Sequence, residues 1–102
     1  MIDLKAELIH GFSNKTRLEI LETIKESEKT VSEIIYAVAG NQSSISQHLA
    51  CLRGCGLIER RQEGKYVYYK LRHQKVADLM DMFDEVLSEV EDNISTCEVH
   101  IS

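Results

Sequence analysis

Residues 57–71 constrain the fold more than any other part of the chain, because they have the pattern of a β-hairpin set among helical patterns. Residues 57–61 and 66–71 are rich in β-branched and aromatic residues, which favour strands. Residues 62–65 between them include Gly64, which can supply the backbone conformation of a hairpin turn. We therefore predict one β-hairpin within a mainly helical fold.

Helical patterns, with apolar residues spaced three and four apart, account for most of the remaining chain. The predicted helices cover residues 2–12, 14–27, 31–38, 42–55 and 74–92. Ser13 is the expected N-cap of the second helix and Asn41 that of the fourth. Gly40 is expected to adopt a positive φ in the turn 39–41, and Gly56 to end the fourth helix at its C′ position. The predicted order is α-α-α-α-β-β-α, mainly α with a β-hairpin wing.

The length of the chain favours one domain over residues 1–102 and disfavours an enzyme, since so small a domain has little room for a deep active-site cleft. No apolar run approaches the roughly 18 residues of a membrane helix, and the N-terminus carries charges where a signal peptide would be apolar. We expect a cytoplasmic protein that acts without a membrane partner or a small-molecule substrate.

Charge is distributed unevenly along the sequence, although the formal net charge is −5. Residues 42–75 contain seven basic and two acidic residues, whereas residues 76–102 contain eight acidic residues and no Lys or Arg. A basic middle between acidic ends can orient a protein on DNA even when the total charge is negative. Taken alone, the same distribution is more typical of an ordinary solvated surface.

The short helix, glycine-containing turn, second helix and basic hairpin together have the layout of a winged helix-turn-helix. On the second of these helices, Ile45, Leu49 and Leu52 project to one face, and small polar residues project to the opposite face. Gln can pair with adenine edges, and Ser can contact bases or phosphates. The predicted contacts to double-stranded operator DNA are Gln42, Ser43, Ser46 and Gln47 on the helix and Arg60, Arg61 and Lys65 on the wing. The alternatives are a polar helix face without function and a protein-interaction module that uses a winged helix without DNA.

Three motifs, which occur along the chain in the same order as in the family, resemble the ArsR/SmtB family of metal-sensing repressors. Residues 41–58 are similar to the recognition-helix signature of that family, residues 15–21 to its helix-two motif and residues 64–71 to its wing. The resemblance implies a homodimer that binds an operator and releases it when metal binds. The apolar faces of residues 2–12 and 74–94 would then form the dimer interface.

Three cysteines in a chain expected to be cytosolic do not suggest a disulfide framework. Cys51 and Cys55 lie one helical turn apart, and Cys97 follows the last helix in residues 93–102, predicted to be a mobile tail. Three thiolates suit thiophilic ions such as Cd(II), Pb(II), As(III) or Hg(II), whereas Zn(II) would more often need a fourth ligand, which His48 or His100 could provide. The alternative is that these are buried apolar cysteines.

Within the family, the set Cys51, Cys55 and Cys97 is similar to the ligands of the Cd(II)/Pb(II)-sensing CmtR branch, so Cd(II) or Pb(II) is the effector that the resemblance implies. The zinc site on the last helix, familiar in other members, is expected to be absent, since Lys75 and Val86 replace two of its ligands beside His73 and Glu89. The chain also has no cysteine before position 51, as the N-terminal ligands of another branch would require.

Two other readings of the cysteines stay open at the level of sequence. The same fold could carry a thiol redox sensor, in which oxidation of Cys51, Cys55 or Cys97 is the signal. A cysteine enzyme with His48 as the base is disfavoured, because no oxyanion-hole element or phosphate loop accompanies the pair.

Overall fold

The computed structural model describes residues 1–95, and Cys97 and His100 lie outside that range. It has five helices and three strands in the order α1 (Ile2–His10), α2 (Lys15–Lys25), β1 (Lys29–Thr30), α3 (Val31–Val38), α4 (Gln42–Gly54), β2 (Ile58–Glu63), β3 (Tyr66–Leu71) and α5 (Gln74–Ser95). The predicted fold class, mainly helical with a β-hairpin wing, is confirmed. The additional element is β1, which was predicted as a short break and instead pairs with β3.

The boundaries of the first two helices differ from the prediction. α1 ends at His10 rather than at residue 12, and Phe12 is buried. The N-cap of α2 is Asn14 and not Ser13, because the Asn14 side chain accepts a hydrogen bond from the Arg17 backbone N–H at 3.0 Å. Ser13 instead donates its hydroxyl hydrogen to the His10 carbonyl oxygen at 2.9 Å, which closes the end of α1.

The turn between α3 and α4 contains Gly40, as predicted, but the structure requires glycine there for a different reason than a positive φ. The residue with positive φ is Ala39, at 53°, and not Gly40. A Cβ at position 40 would lie 2.8 Å from the Ile45 Cδ1 atom, so Gly40 permits the close approach of a core side chain. Asn41 caps α4 as predicted, since its side chain accepts a hydrogen bond from the Ser44 backbone N–H at 2.9 Å.

The three strands form one antiparallel sheet in the order β1-β3-β2. The hairpin is longer than predicted, because Gln62 and Glu63 pair with Val67 and Tyr66. The turn is thereby reduced to residues 64–65, where Gly64 has a φ of 61°. Gly56, with a φ of 78°, follows α4 as predicted.

The core lies between α2, α3, α4 and the base of the sheet. It is made of apolar side chains with almost no exposure, and the largest fully buried ones are Ile20, Leu21, Ile24, Ile34, Ile45, Leu49, Leu52, Ile58 and Met80. α5 joins this core through Val76 and Met80 near its beginning. The helix then continues to Ser95, three residues beyond the predicted end. Within residues 1–95, none of the helices combines the length and apolar character that crossing a lipid bilayer requires.

Candidate nucleic-acid interface and cysteine pair

The helix predicted to read DNA presents its polar side chains to solvent. Ser43, Ser46 and Gln47 are exposed on α4, and Gln42 is exposed at its first turn. The opposite face carries the apolar side chains that anchor the helix, and these are buried: Ile45, Leu49 and Leu52. The amphipathic projection made from the sequence is confirmed. The apolar face of α4 packs against the core, and its polar face is exposed and accessible to a partner.

The wing separates its two adjacent arginines, because neighbouring residues of a strand point to opposite faces of a sheet. Arg60 stands opposite Tyr69 and Arg61 opposite Tyr68. Lys65, at the tip, is exposed and lies with its ammonium 5.4 Å from the centre of the Tyr66 ring. The sequence predicted that Arg60, Arg61 and Lys65 all lie on the wing. The structure shows that Arg60 and Arg61 lie on opposite faces of it.

Arg61 is engaged within its own subunit. Its guanidinium donates hydrogen bonds to both carboxylate oxygens of Glu28, one of them at 2.9 Å, and to Glu63 at 3.2 Å. The guanidinium also lies 4.7 Å from the centre of the Tyr68 ring. The two carboxylates raise the pKa of Arg61, and the Arg61 guanidinium lowers the pKa of Glu28. Arg61 therefore links the wing to the end of α2 in addition to any contact with DNA.

Cys51 and Cys55 lie together on the side of α4 that faces α1. Both thiols are half-buried and unoxidised, and they lie on successive turns of the helix. Burial raises the pKa of the Cys55 thiol, and the neighbouring Cys51 raises it further. The Cys55 sulfur is so close to α1 that a Cβ at Gly11 would lie 3.6 Å from it. The pair therefore stands at the junction between the recognition helix and the first helix.

The surroundings of Cys55 include residues of α1 that the sequence analysis did not single out. A pocket of about 280 Å³ beside Cys55 is lined by Ala6, Glu7 and His10. Glu7 and His10 are three residues apart, a helical spacing that puts both on one face of α1. The spacing of Glu7 and His10 could have indicated a shared face of α1, but nothing in the sequence indicated that this face lies beside Cys55.

The last turn of α1 is held by a buried arginine from α2. Arg17 donates from Nε to the Gly11 carbonyl oxygen at 3.1 Å and from Nη2 to the His10 carbonyl oxygen at 2.8 Å. These are carbonyl groups that a helix leaves without partners at its C-terminus. Arg17 therefore fixes the end of α1 against α2.

The described residues supply two of the three predicted thiolates. Among the side chains of residues 1–91, no group of three or more His, Cys, Asp or Glu is placed to hold a metal ion. The third predicted ligand, Cys97, and the possible fourth ligand His100 fall outside this range, and His48 is half-buried on α4. A pair of adjacent soft donors fits a thiophilic ion as an incomplete site that needs a further ligand.

The two terminal helices expose a large apolar surface. In α1, Ile2, Leu4 and Ile9 are 75%, 67% and 60% exposed. In α5, Met82, Val86 and Leu87 are 51%, 50% and 47% exposed. Phe83 is 38% exposed although it makes an edge-to-face contact with Phe12, with ring centres 5.2 Å apart. These side chains lie on the faces that were predicted to form a dimer interface.

Known proteins with similar sequences and structures are transcriptional regulators. Residues 14–60 match the family model described as bacterial regulatory protein, arsR family. A probable mercury resistance operon repressor from Streptomyces lividans is 33% identical over 78 residues, which cover 76% of this chain and 62% of that protein. The transcriptional activator HlyU from Vibrio cholerae is 35% identical over 75 residues, which cover 74% of this chain and 69% of HlyU.

Structural similarity extends over more of the chain. The solution structure of a homodimeric winged helix-turn-helix DNA-binding domain from Mycobacterium bovis, described as a possible ArsR-family transcriptional regulator, superposes with a TM-score of 0.80. The two sequences are 28% identical, and the match covers 98% of this chain and 90% of the other. The matched region spans less than two thirds of the Streptomyces lividans repressor.

Proposed function

Because this chain belongs to the ArsR family of bacterial regulatory proteins, we propose that it is a homodimeric transcriptional repressor that a thiophilic metal ion releases from operator DNA. The observation that carries the proposal is the pair of reduced thiols of Cys51 and Cys55, which lie one turn apart on the recognition helix, with the Cys55 sulfur beside the end of α1. The family and the matched proteins are regulators and not enzymes, in agreement with the sequence prediction.

The DNA-binding surface proposed for each subunit combines the exposed face of α4 with the wing. Gln42, Ser43, Ser46 and Gln47 would enter the major groove, where side-chain amides and hydroxyls can read base edges. Lys65 and Arg60 would contact the phosphate backbone, which positions the protein without reading sequence. Arg61 belongs to the same surface, but a smaller contribution is expected from it because Glu28 and Glu63 already neutralise its charge.

Dimerisation through α1 and α5 is supported by their exposed apolar side chains. A soluble monomer rarely exposes a contiguous apolar patch of this kind without using it in an interface. The structurally similar domain from Mycobacterium bovis is homodimeric. Since two-fold symmetric dimers present paired recognition helices at a fixed separation, the dimer would determine which operator spacing is bound.

The metal site proposed here consists of the thiolates of Cys51 and Cys55, completed by Cys97. Soft thiolate donors favour Cd(II) or Pb(II), the ions implied by the resemblance to the CmtR branch, and As(III) or Zn(II) are weaker candidates. That a similar protein is a probable mercury resistance operon repressor also supports a thiophilic effector.

The position of Cys55 offers a route from the cysteine pair to the dimer. Its sulfur contacts the end of α1, and α1 carries apolar side chains of the proposed interface. A change in the separation between α4 and α1 would therefore alter the orientation of the two recognition helices. A coupling free energy of about 1–3 kcal/mol, typical of allosteric ligands, would lower operator affinity roughly 5- to 150-fold.

The second candidate function is a thiol redox sensor on the same fold, favoured by the position of the two reduced thiols on successive turns of α4. A peroxide could accept two electrons and two protons from Cys51 and Cys55, which would join as a disulfide while the peroxide O–O bond is cleaved. The raised pKa of Cys55 argues against this candidate, because reactive sensor cysteines have lowered thiol pKa values.

Anaerobic titration of the reduced chain with Cd(II) tests the proposal. We expect sulfur-to-metal charge-transfer absorption at one Cd(II) per subunit and release of DNA taken from the promoter of the chain's own gene. Chain truncated after Ile94 should bind Cd(II) more weakly while keeping its fold, since it lacks Cys97. Absence of the absorption band at stoichiometric Cd(II), with DNA release on peroxide treatment, would favour the redox candidate.

A further inference from the structure

A concave basic surface lies at the C-terminal end of the recognition helix and adds two arginines to the residues already assigned to DNA binding. It encloses about 560 Å³ and brings together Arg53 from α4, Arg60 from β2 and Arg72 from the segment before α5. All three arginines are exposed. Arg72 is held in place by its backbone N–H, which donates to the Leu57 carbonyl oxygen at 3.0 Å. We call this surface the arginine pocket.

The charge of the arginine pocket is not neutralised by the side chains of residues 1–91, among which none of its three guanidiniums makes an ion pair. The acid that lines it, Glu59, has its carboxylate 3.4 Å from the Lys70 ammonium. Glu59, Arg61 and Lys70 share the opposite face of the hairpin from Arg60, because side chains alternate along a strand. Glu59 thus borders the pocket but pairs with Lys70 and not with any of the three arginines.

The arginine pocket is continuous with the polar face of α4. Its lining includes Ala50, Arg53 and Gly54, which follow Ser43 and Gln47 at helical spacings of three and four residues. These residues form one stripe along the helix, and Ser43 and Arg53 are about 15 Å apart along its axis. A helix whose first turns lie in a major groove about 12 Å wide would bring the other end of that stripe to a phosphate strand.

We propose that the arginine pocket is a clamp for the phosphate backbone beside the major groove, with Arg53 and Arg72 as DNA contacts in addition to Arg60. Guanidinium groups match phosphate oxygens through paired N–H donors. The backbone at this end of α4 would not attract an anion, because a helix C-terminus carries partial negative charge, so the affinity must come from the side chains. This inference rests on the proposed DNA-binding function and extends its surface.

The test compares salt dependence for the chain and for the double variant Arg53→Gln/Arg72→Gln. Fluorescence anisotropy would follow binding to a labelled 30-base-pair duplex from the promoter of the chain's own gene and to a random duplex of equal length. The slope of log Kobs against log salt should become shallower by about two per subunit, and affinity at 0.1 M salt should fall at least roughly tenfold. Both duplexes should lose affinity to the same extent, because phosphate contacts carry no sequence information.

Two control variants separate local contacts from net charge. Lys15→Gln/Lys29→Gln removes the same charge away from the pocket and should leave the slope nearly unchanged. Arg53→Lys/Arg72→Lys keeps the charge and should restore most of the slope. Circular dichroism on each variant would verify the fold.

The possible results distinguish the pocket from the underlying function. If the unaltered chain binds neither duplex at low salt, the proposed DNA-binding function fails and the clamp fails with it. If the chain binds DNA but Arg53→Gln/Arg72→Gln keeps the same slope, only the clamp is refuted. Calorimetric binding of inorganic phosphate by the DNA-free chain at micromolar concentration, lost in that variant, would instead make the pocket a site for a free anion.

Discussion

The two sides of α4 differ in what they contact, although they belong to one rigid helix. One side exposes Ser43, Ser46 and Gln47 to solvent, in the position that a DNA-reading surface requires. The other side holds Cys51 and Cys55, half-buried against the end of α1. A helix of 13 residues with a continuous buried face cannot reshape one side alone. A signal at the cysteines should therefore act on DNA by moving α4 as a whole relative to α1.

This difference divides the residues of α4 into three groups with separable effects. Substitutions on the buried face of α4 should impair both metal binding and DNA binding. Substitutions at the cysteines should impair only metal binding, and substitutions on the exposed side should impair only DNA binding. The four predictions that follow test this division.

Leu52→Ala should have the largest effect, because Leu52 is fully buried beneath both sides of the helix. Truncation of such a side chain removes buried apolar surface and leaves a cavity, at a cost of about 2–5 kcal/mol in the free energy of unfolding. Chemical denaturation monitored by circular dichroism would measure it. Ser43→Ala is the control and should change stability by less than about 0.5 kcal/mol. Equal stability of Leu52→Ala and the parent chain would contradict the packing described here.

The fold was largely predictable because its signals are local. Alternating apolar spacing fixed the buried face of α4, and the strand pattern around Gly64 located the wing. β1 was missed because two residues, Lys29 and Thr30, carry no periodic pattern, and their pairing depends on β3 almost 40 positions later. The positive φ was assigned to Gly40 by propensity, whereas the packing of Ile45 against Gly40 leaves Ala39 to make the turn.

Cys55→Ser should reduce Cd(II) affinity by roughly 100-fold or more while DNA affinity in the absence of metal stays within about twofold. Loss of one thiolate removes a soft donor that a serine hydroxyl does not replace. Competition with a chromophoric chelator would measure metal affinity, and anisotropy would measure DNA binding. Ser46→Ala is the matched control on the other side of α4 and should show the reverse pattern. A Cys55→Ser chain that binds metal normally would remove this residue from the site.

The candidate site was only partly predictable, because its partners come from distant parts of the chain. The spacing of Cys51 and Cys55 was visible in the sequence, and the structure places the two residues on successive turns of α4, both half-buried. Their neighbours in α1 were not predictable, since about 45 residues separate Glu7 and His10 from Cys55 and no periodicity spans that interval. In the same way, strand register and not composition decides that Arg61 pairs with Glu28 while Arg60 lines the arginine pocket.

Gln47→Ala should weaken discrimination between the operator and random DNA by about 1–3 kcal/mol, the value of a bidentate side-chain contact to adenine. Lys65→Ala should instead weaken binding to both duplexes alike and reduce the salt slope by about one. Anisotropy titrations of each variant against the promoter duplex and the random duplex would separate the two effects. Neither variant should alter Cd(II) affinity. Loss of metal binding in Gln47→Ala would show that the two sides of α4 are not separable.

The pH dependence of metal affinity should differ by about one logarithmic unit per pH unit between the parent chain and Cys55→Ser. A thiol must lose its proton before it can bind a metal ion, so apparent affinity rises with pH as long as the pH is below the thiol pKa. Burial and Cys51 raise the pKa of Cys55 in the folded chain, which extends this rise across the whole interval from pH 6 to pH 8.

Chelator competition with Cd(II) at several pH values in that interval would measure the two slopes. In the metal-free chain the same raised pKa favours the protonated thiol. The contribution of the protonated Cys55 thiol to folding stability is therefore present below the thiol pKa of the unfolded chain. This contribution is lost as the pH rises through the thiol pKa of the folded chain. DNA binding without metal should show no corresponding difference between the parent chain and Cys55→Ser, because Cys55 lies on the side of α4 away from the proposed DNA surface. Equal slopes for metal binding in the two chains would mean that Cys55 does not lose a proton when the metal binds. Cys55 would then have a structural role only.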